Sequence, residues 1–598
     1  MQRRLHLIVP ALLLLLGLAL RVADPPVLVD LRVKLFDFFQ TLKPREYVPA
    51  PVRIVDLDDE SLERLGQWPW PRVLLAQLVE RLSRAGVAVI AFDIVFAEPD
   101  RTSPSRVVEL WPEAPAVDEI RRLVGSLADH DAVFAGAVGR AVVVTGFAGT
   151  DAGGGAAPAQ KAGFASTGDD PTLFVPNYGG SVVTLPEIEA AAAGNGSLNF
   201  VPDRDGIVRR VPLLVSYKGT LYPQLGAEAL RVAQGASTYV VKASGASGQT
   251  GFGEKTGITH VKIGRLVAPT DEAGKVWLYD TGLVPQRTIP AWRVLSEDFD
   301  PAEVAGMIVL VGTSAVGLMD IRATPLEPAM PGVEIHAELL EQLLLQTFLN
   351  RPDWADGAEI LYLLSLGALL IVLLPRAGAG PGAAVGALAV AAAVGFSWYA
   401  FVELRLLFAP LYPSLIVVLV YMSSTLISFM RTEAERHQVR GAFGRYLSPV
   451  LVERLAEDPS RLKLGGEMRE MTLLFCDIRG FTTISEQLDA EGLTRLINRF
   501  LTPMTDVILS QHGAIDKYMG DCIMAYWNAP LDDPDHASNA CLAALTMRVR
   551  LEQLNENLRR EAAEEGRKHI PIRVGTGLNT GVCCVWNMGS DQRFDYSV

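Results

Sequence analysis

The chain has 598 residues, room for several domains, and 49% of them are hydrophobic, which points to segments buried in lipid. Its formal charge of −14 leaves no basic excess to neutralise phosphates over a wide surface, so nucleic acid is excluded as a partner class. The five cysteines (Cys476, Cys522, Cys541, Cys583 and Cys584) lie in the last quarter without CxxC spacing, which argues against a zinc site and a disulfide framework.

The first signal along the chain is an apolar run at 7–20 behind Arg3 and Arg4. It is short for a span, and a cleaved signal peptide is the competing reading. Arg21, Asp24, Pro25 and Pro26 make a poor small-residue cleavage site, so residues 1–21 are expected to form a cytoplasmic N-terminus and a first transmembrane helix. Residues 52–57 then read as a strand, 72–84 as an amphipathic helix and 87–92 as a buried strand ending at Asp93. This βαβ order places polar residues at strand C-termini, where α/β sheets bind ligands. Another buried strand, 307–312, leads to Thr313 and Ser314, and 332–346 reads as a helix. The Gly-, Ala- and Ser-rich stretch 148–170 is expected to be a loose loop. Asp56, Asp58, Asp93 and Asp205 are candidates to line a pocket; the alternative for each is a strand-end or loop carboxylate that hydrogen-bonds to nearby backbone.

Five stretches occur here in order: VRIVDLDDESLERLGQWPWPR (52–72), AVIAFDIVFAEPD (88–100), FVPDRDGIVRRVPLL (200–214), LYPQLGAEAL (221–230) and VLVGTSAVGLMDIRATPL (309–326). Together they resemble the CHASE2 family of extracytoplasmic sensor domains over most of residues 27–350. The resemblance implies that residues 22–357 are an α/β sensor for an unknown extracytoplasmic ligand. No catalytic constellation is visible in this part.

Three apolar blocks follow, at 358–374, 383–401 and 406–430, and read as three transmembrane helices within residues 358–430. Arg376 follows the first block, and Arg431, Arg436 and Arg440 follow the last, while the turn between them carries only Glu403 and Arg405. The positive-inside rule then places Arg376 and the C-terminal part in the cytoplasm and residues 22–357 outside the cell (inner) membrane. Residues 431–464 form a connecting segment without a Gly or Pro breaker until Gly441. It continues the last helix, either as a parallel dimeric stalk or as a simple solvated helix. FGRYLSP (443–449) resembles the transducer element that precedes catalytic domains in membrane-bound nucleotide cyclases.

In residues 465–598 the first strand is 471–475. A helix follows with Leu493, Leu496, Ile497, Phe500, Leu501, Met504, Val507 and Ile508 on one face, and Gly513 is expected to end it. AIDKYMGDCIMAYW (514–527) reads as a hairpin, about 535–560 as a second helix and 572–577 as another strand. The order βαββαβ is that of an α+β ferredoxin-like core. In it Asp477 ends strand one and Asp521 occupies the hairpin turn beside it, so two carboxylates can bridge a pair of divalent cations. The stretch 478–483, turning into a helix, offers backbone N–H groups to a polyphosphate. Lys517 stands four residues before Asp521.

LLFCDIRGFT, IDKYMGDCIMAYWNAP, IRVGTGLNTG and NMGSDQRFDYSV resemble the class III adenylate/guanylate cyclase catalytic domain across residues 465–598. The resemblance implies Mg²⁺ or Mn²⁺ as a pair of ions held by Asp477, Asp521 and the Ile478 carbonyl. It further implies Lys517 and Ser597 as base-reading residues favouring ATP, Arg573 on phosphates, Gly480, Phe481 and Thr482 at the substrate, and a homodimer that shares each site. The family pattern continues beyond Val598 with an Asn and an Arg that act on the ribose and the transferring phosphoryl group, and Trp586 replaces a usual Gly. Two readings therefore stand side by side. One is a sensor-coupled adenylate cyclase of which this is a piece. The other is a degenerate or truncated domain serving as a nucleotide-binding or dimerisation module, with guanylate cyclase activity as a further alternative.

Overall fold

The structure, a computed structural model, describes residues 5–245, 257–318, 320–352, 354–377, 379–443, 467–529, 531–590 and 593–598. They fall into two compact units, Met1–Ser424 and Thr425–Val598.

The centre of the first unit is a parallel sheet in the order Thr288–Pro290, Val52–Asp56, Ile308–Gly312, Val89–Phe92 and Val143–Thr150. Gly194–Ser197 adds a parallel strand, and Gly180–Val182 pairs antiparallel with the end of Val143–Thr150. The strands Val89–Phe92 and Ile308–Gly312 are buried at every position, the mark of a sheet covered on both faces. On one face, helix Arg72–Arg84 contributes Leu75, Leu78, Val79 and Leu82 to a core with Ile90, Phe92 and Val311. On the other, helices Leu225–Ala233 and Gly332–Leu345 close over Ile54, Ala91 and Leu310. The layers are those of an α/β sandwich.

The expected loop at 148–170 holds a strand. Gly163–Thr167 pairs in parallel with Thr238–Ala243 in a second sheet that continues through Ile258–Ile263 and Leu266–Pro269. Its own composition is a poor strand signal; a partner distant in sequence and the stacking of Phe164 on Tyr239, with ring centroids 5.3 Å apart, impose the conformation.

The helices Trp354–Leu374, Gly380–Leu404 and Leu411–Met430 are long and apolar enough to cross a membrane, and Leu7–Ala23 with Pro26–Leu42 makes a fourth span if that bent pair is one. The pair is bent by 79°, at a break where Asp24 has a positive φ and Pro25 lacks an N–H to continue the ladder. The helix beginning at Leu411 runs on to Phe443, past Arg431, Arg436 and Arg440. Nearly all of the FGRYLSP element, from residue 444, and the rest of the connecting segment to 464 lie outside the described residues.

The second unit is an antiparallel sheet in the order Ala514–Met519, Cys522–Trp527, Glu467–Ile478, Val574–Ser590 and Arg593–Ser597. Helices Ala490–Ser510 and His536–Glu564 pack Phe500, Met504, Ile508, Ala540 and Met547 against Leu474, Ile523 and Ala525. This is a ferredoxin-like α+β fold with an added edge strand. Two local expectations are corrected. The left-handed residue after helix Ala490–Ser510 is His512, with φ 64°, rather than Gly513. Gly513 serves close packing instead, since a Cβ there would come within 2.7 Å of the Trp527 ring. The strand expected from 572 begins at Val574, because the backbone of Ile572 is taken by the side-chain amide of Asn555 through two bonds of 2.8 Å.

Candidate active site

Strand Glu467–Ile478 lies between Cys522–Trp527 and Val574–Ser590, pairing Cys476 with Ile523 and Asp477 with Gly575. Leu474, Cys476 and Ile478 alternate into the helical core, so Phe475 and Asp477 emerge on the open face. The hairpin turns at Gly520 and Asp521, with a positive φ at Gly520 that suits the first position of a II′ turn. It brings the Asp521 carboxyl onto that of Asp477. Burial holds Asp521 above the usual carboxylate range, amides of Asp521 and Ile478 pull it back, and the charge of Asp477 raises it again. The Cys522 thiol is likewise pushed up by burial and by both carboxylates.

Past Asp477 the chain turns at Gly480, whose φ of 73° favours glycine, into the short helix Phe481–Ser485. Ile484 is buried and Phe481 packs on the same core, which leaves Thr482 exposed beside the turn. The Arg479 amide donates to the Arg573 carbonyl at 2.7 Å, tying the turn to the neighbouring strand, and the Arg573 side chain is exposed. Lys517 Nζ donates to Ser597 Oγ at 3.2 Å across the sheet order. The structure thus brings together Asp477 with Asp521 and Lys517 with Ser597, and holds Gly480, Phe481 and Thr482 in the turn that follows Asp477.

Sequence reasoning missed Asp516. Its side chain is fully buried and lies 3.1 Å from Lys517 Nζ, without hydrogen-bond geometry, so the contact is Coulombic. A β-bulge between Ile515 and Lys517 puts Asp516 inside, and period-two alternation alone could not show it. Among the described residues no group of three or more His, Cys, Asp or Glu is arranged to hold a metal ion. The two facing carboxylates do fit Mg²⁺, which takes one or two and completes its shell with water and phosphate oxygens. Their mutual repulsion is what a bound cation would relieve.

The domain is thus a ferredoxin-like sheet with two carboxylates facing each other at adjacent strand ends and a lysine on the hairpin that carries Asp521. Residues 466–598 match the family described as adenylate and guanylate cyclase catalytic domain, and residues 10–373 match the CHASE2 domain. The chain belongs to the CHASE2 family, here joined to a class III cyclase catalytic domain. Adenylate cyclase 1 of Rhizobium meliloti (strain 1021) is 33% identical over 129 residues, 22% of this chain and 18% of that protein. Adenylate cyclase of Anabaena cylindrica is 36% identical over 131 residues, 22% of this chain and 24% of that one. The chain therefore aligns with only about a fifth to a quarter of these curated relatives' length. The crystal structure of the adenylyl cyclase CyaB from P. aeruginosa is 37% identical over 22% of this chain and 67% of that chain, with a TM-score of 0.21.

Proposed function

We propose that the protein is a sensor-coupled adenylate cyclase of the cell membrane, converting ATP to 3′,5′-cyclic AMP and pyrophosphate as a homodimer. The observation that carries this is the meeting of Asp477 and Asp521 at one end of a sheet that also holds the Lys517–Ser597 contact. In the reaction the ribose 3′-oxygen bonds to the α-phosphorus, its proton leaves, and the bond to the bridging oxygen of pyrophosphate breaks. Mg²⁺ or Mn²⁺ held by Asp477, Asp521 and the Ile478 carbonyl would acidify the 3′-hydroxyl and neutralise the β- and γ-phosphates. Amides at Gly480, Phe481 and Thr482 face polyphosphate oxygens, and the exposed guanidinium of Arg573 adds a cation for them.

Lys517 is donor-only, whereas the Ser597 hydroxyl both donates and accepts, so the pair matches an adenine edge with one acceptor and one donor. Asp516 acts as the buried counter-charge that aims Lys517. Support for a homodimer comes from the sheet face around Asp477. Gly575 and Gly577 stand opposite Asp477 and Phe475, added Cβ atoms at Gly577 and Gly581 would meet nothing, and Phe475 is 42% exposed. A bare sheet face of this kind suits a second subunit. Arg376, Arg431, Arg436 and Arg440 favour a cytoplasmic catalytic unit, with the CHASE2 domain on the other side.

Membranes carrying the full-length protein should form cyclic AMP from ATP with Mg²⁺ or Mn²⁺. Cyclic GMP from GTP in preference would refute the roles given to Lys517 and Ser597, and no turnover of either nucleotide would leave a binding or dimerisation module.

A further inference from the structure

Four carboxylates of the first unit are pocket candidates by sequence, and the structure separates them. Asp56 accepts from the Ser314 amide at 2.8 Å and from its hydroxyl, Asp58 caps helix Asp59–Leu65 by accepting from Ser61, and Asp205 pairs with Arg209. Asp93 alone remains. It follows strand Val89–Phe92 and lines a cleft of about 480 Å³ at the C-terminal ends of the parallel strands, with Leu57, Thr313, Asn199 and Asp320. Clefts at this position and of this size take small molecules.

The Asp93 side chain is only 4% exposed, yet its Oδ2 has no hydrogen-bond partner. Its Oδ1 lies 3.3 Å from His336 Nε2. The Gln224 carboxamide oxygen accepts from the amides of Gly226 and Ala227, so its NH₂ faces His336 Nδ1. Nδ1 is then the acceptor, and the ring proton sits on Nε2, toward Asp93. His336, wholly buried against Phe200, stands beside Oδ1 without completing a hydrogen bond to it, and Oδ2 is left without a partner.

The charge of the cleft decides what that free oxygen wants. Asp320 is a second carboxylate in the lining, seated against Gly332, where a Cβ would come within 2.3 Å of its Oδ2. Burial, then the charge of Asp93, holds Asp320 above its usual range. Among the described residues Arg322 is the one cation in the lining, half-exposed and already 3.2 Å from Asp320. An anion would meet a net negative wall, and the described residues offer no set of three ligands for a metal. The remaining lining sets the apolar side chains of Trp68, Ile94, Val95, Leu198 and Phe200 beside the polar Asn199 and Thr313.

We propose that this cleft binds a small organic ammonium ion with an apolar body, Asp93 serving as the counter-ion of its nitrogen. A buried carboxylate without a hydrogen-bond donor is costly, and a charged N–H donor both satisfies it and is held strongly away from water. The inference does not rest on the cyclase reading, because binding is measured directly.

The test uses full-length protein in detergent micelles titrated calorimetrically with 2-phenylethylamine, and with 2-phenylethanol and 3-phenylpropionate as neutral and anionic counterparts. Saturable binding of the amine alone is expected. Asp93→Asn should weaken it by at least about thirtyfold, the consequence of removing one partner of a buried charge pair, while Asp118→Asn on an exposed helix leaves it unchanged. Leu318→Trp, which fills the cleft from a short surface turn, should also abolish binding and decides the matter if Asp93→Asn does not fold. Equal binding of the alcohol, absence of saturable amine binding, or full affinity in either cleft variant would overturn the proposal.

Discussion

Carboxylates do opposite work in the two units. Under helix Gly332–Leu345 of the first, Glu334, Glu338 and Glu341 share one face and close on Arg287, which is fully buried. Arg287 donates to Glu341 through Nε at 2.9 Å and Nη2 at 2.8 Å, Arg45 reaches the same Glu341 at 2.9 Å, and Thr288 donates to Glu334. Opposite charges are taken out of water together. In the second unit Asp477 and Asp521 are like charges set face to face on the open side of the sheet. The first arrangement holds an architecture; the second sets one charge against another, and a bound cation would relieve it.

The sharpest way to break the contrast is to remove one member of each set. Asp477→Ala should abolish cyclic AMP formation, a loss of at least about a thousandfold for a residue holding the reacting centre, while thermal unfolding of the variant stays at or slightly above that of the parent. Persistent turnover would refute the metal role. Arg287→Met should act the other way. The buried glutamates Glu334 and Glu341 lose their main counter-charge, at a cost of about 3–5 kcal/mol, and the protein melts earlier, as followed by tryptophan fluorescence. Retained stability would show that the cluster carries little of the fold.

A smaller effect, with a defined sign, comes from Glu338. Burial pushes its carboxyl up to about 8, with Asp280 adding and Arg45 and Arg287 opposing, against 4.5 in the unfolded chain. The folded state therefore binds more protons than the unfolded one between those values, and stability falls as pH rises through that window. The melting temperature should drop by on the order of a few degrees from pH 5 to pH 8. Glu338→Gln should flatten that slope. A slope unchanged in the variant would assign it to other groups.

What is legible in the sequence follows from how local each interaction is. Asp477 and Asp521 can be paired from the order of residues alone because a hairpin turn fixes its neighbour, and the helix over Arg72–Arg84 announces itself by period. Gly163–Thr167 cannot be read that way, since its strand character comes from a partner some 75 residues on. Nor can the fate of Asp56, Asp58, Asp93 and Asp205 be sorted by type or spacing: it depends on whether Ser314, Ser61 or Arg209 happens to be within reach. Asp516 is hidden by a bulge, and helix Pro26–Leu42 by its mixed composition, with Phe36 and Phe39 finding their partners at Trp277 and Phe401.

The mildest variant sharpens the comparison most closely, because Asp58 and Asp93 are the same residue type just past the ends of two strands that flank Ile308–Gly312. Asp58 accepts from the Ser61 amide at 2.8 Å and supplies an oxygen to the start of a seven-residue helix. Its work ends there, since both its charge and its acceptor face a helix terminus. Asp58→Ala should therefore cost about 1 kcal/mol of stability in denaturant titration of the full-length protein, with amine binding and cyclic AMP formation unchanged. Asp93→Asn should show the reverse pattern, with little change in stability and loss of amine binding, because no fold contact depends on its free oxygen. If the two variants instead behaved alike, burial without a partner would no longer distinguish a binding carboxylate from a structural one in this domain.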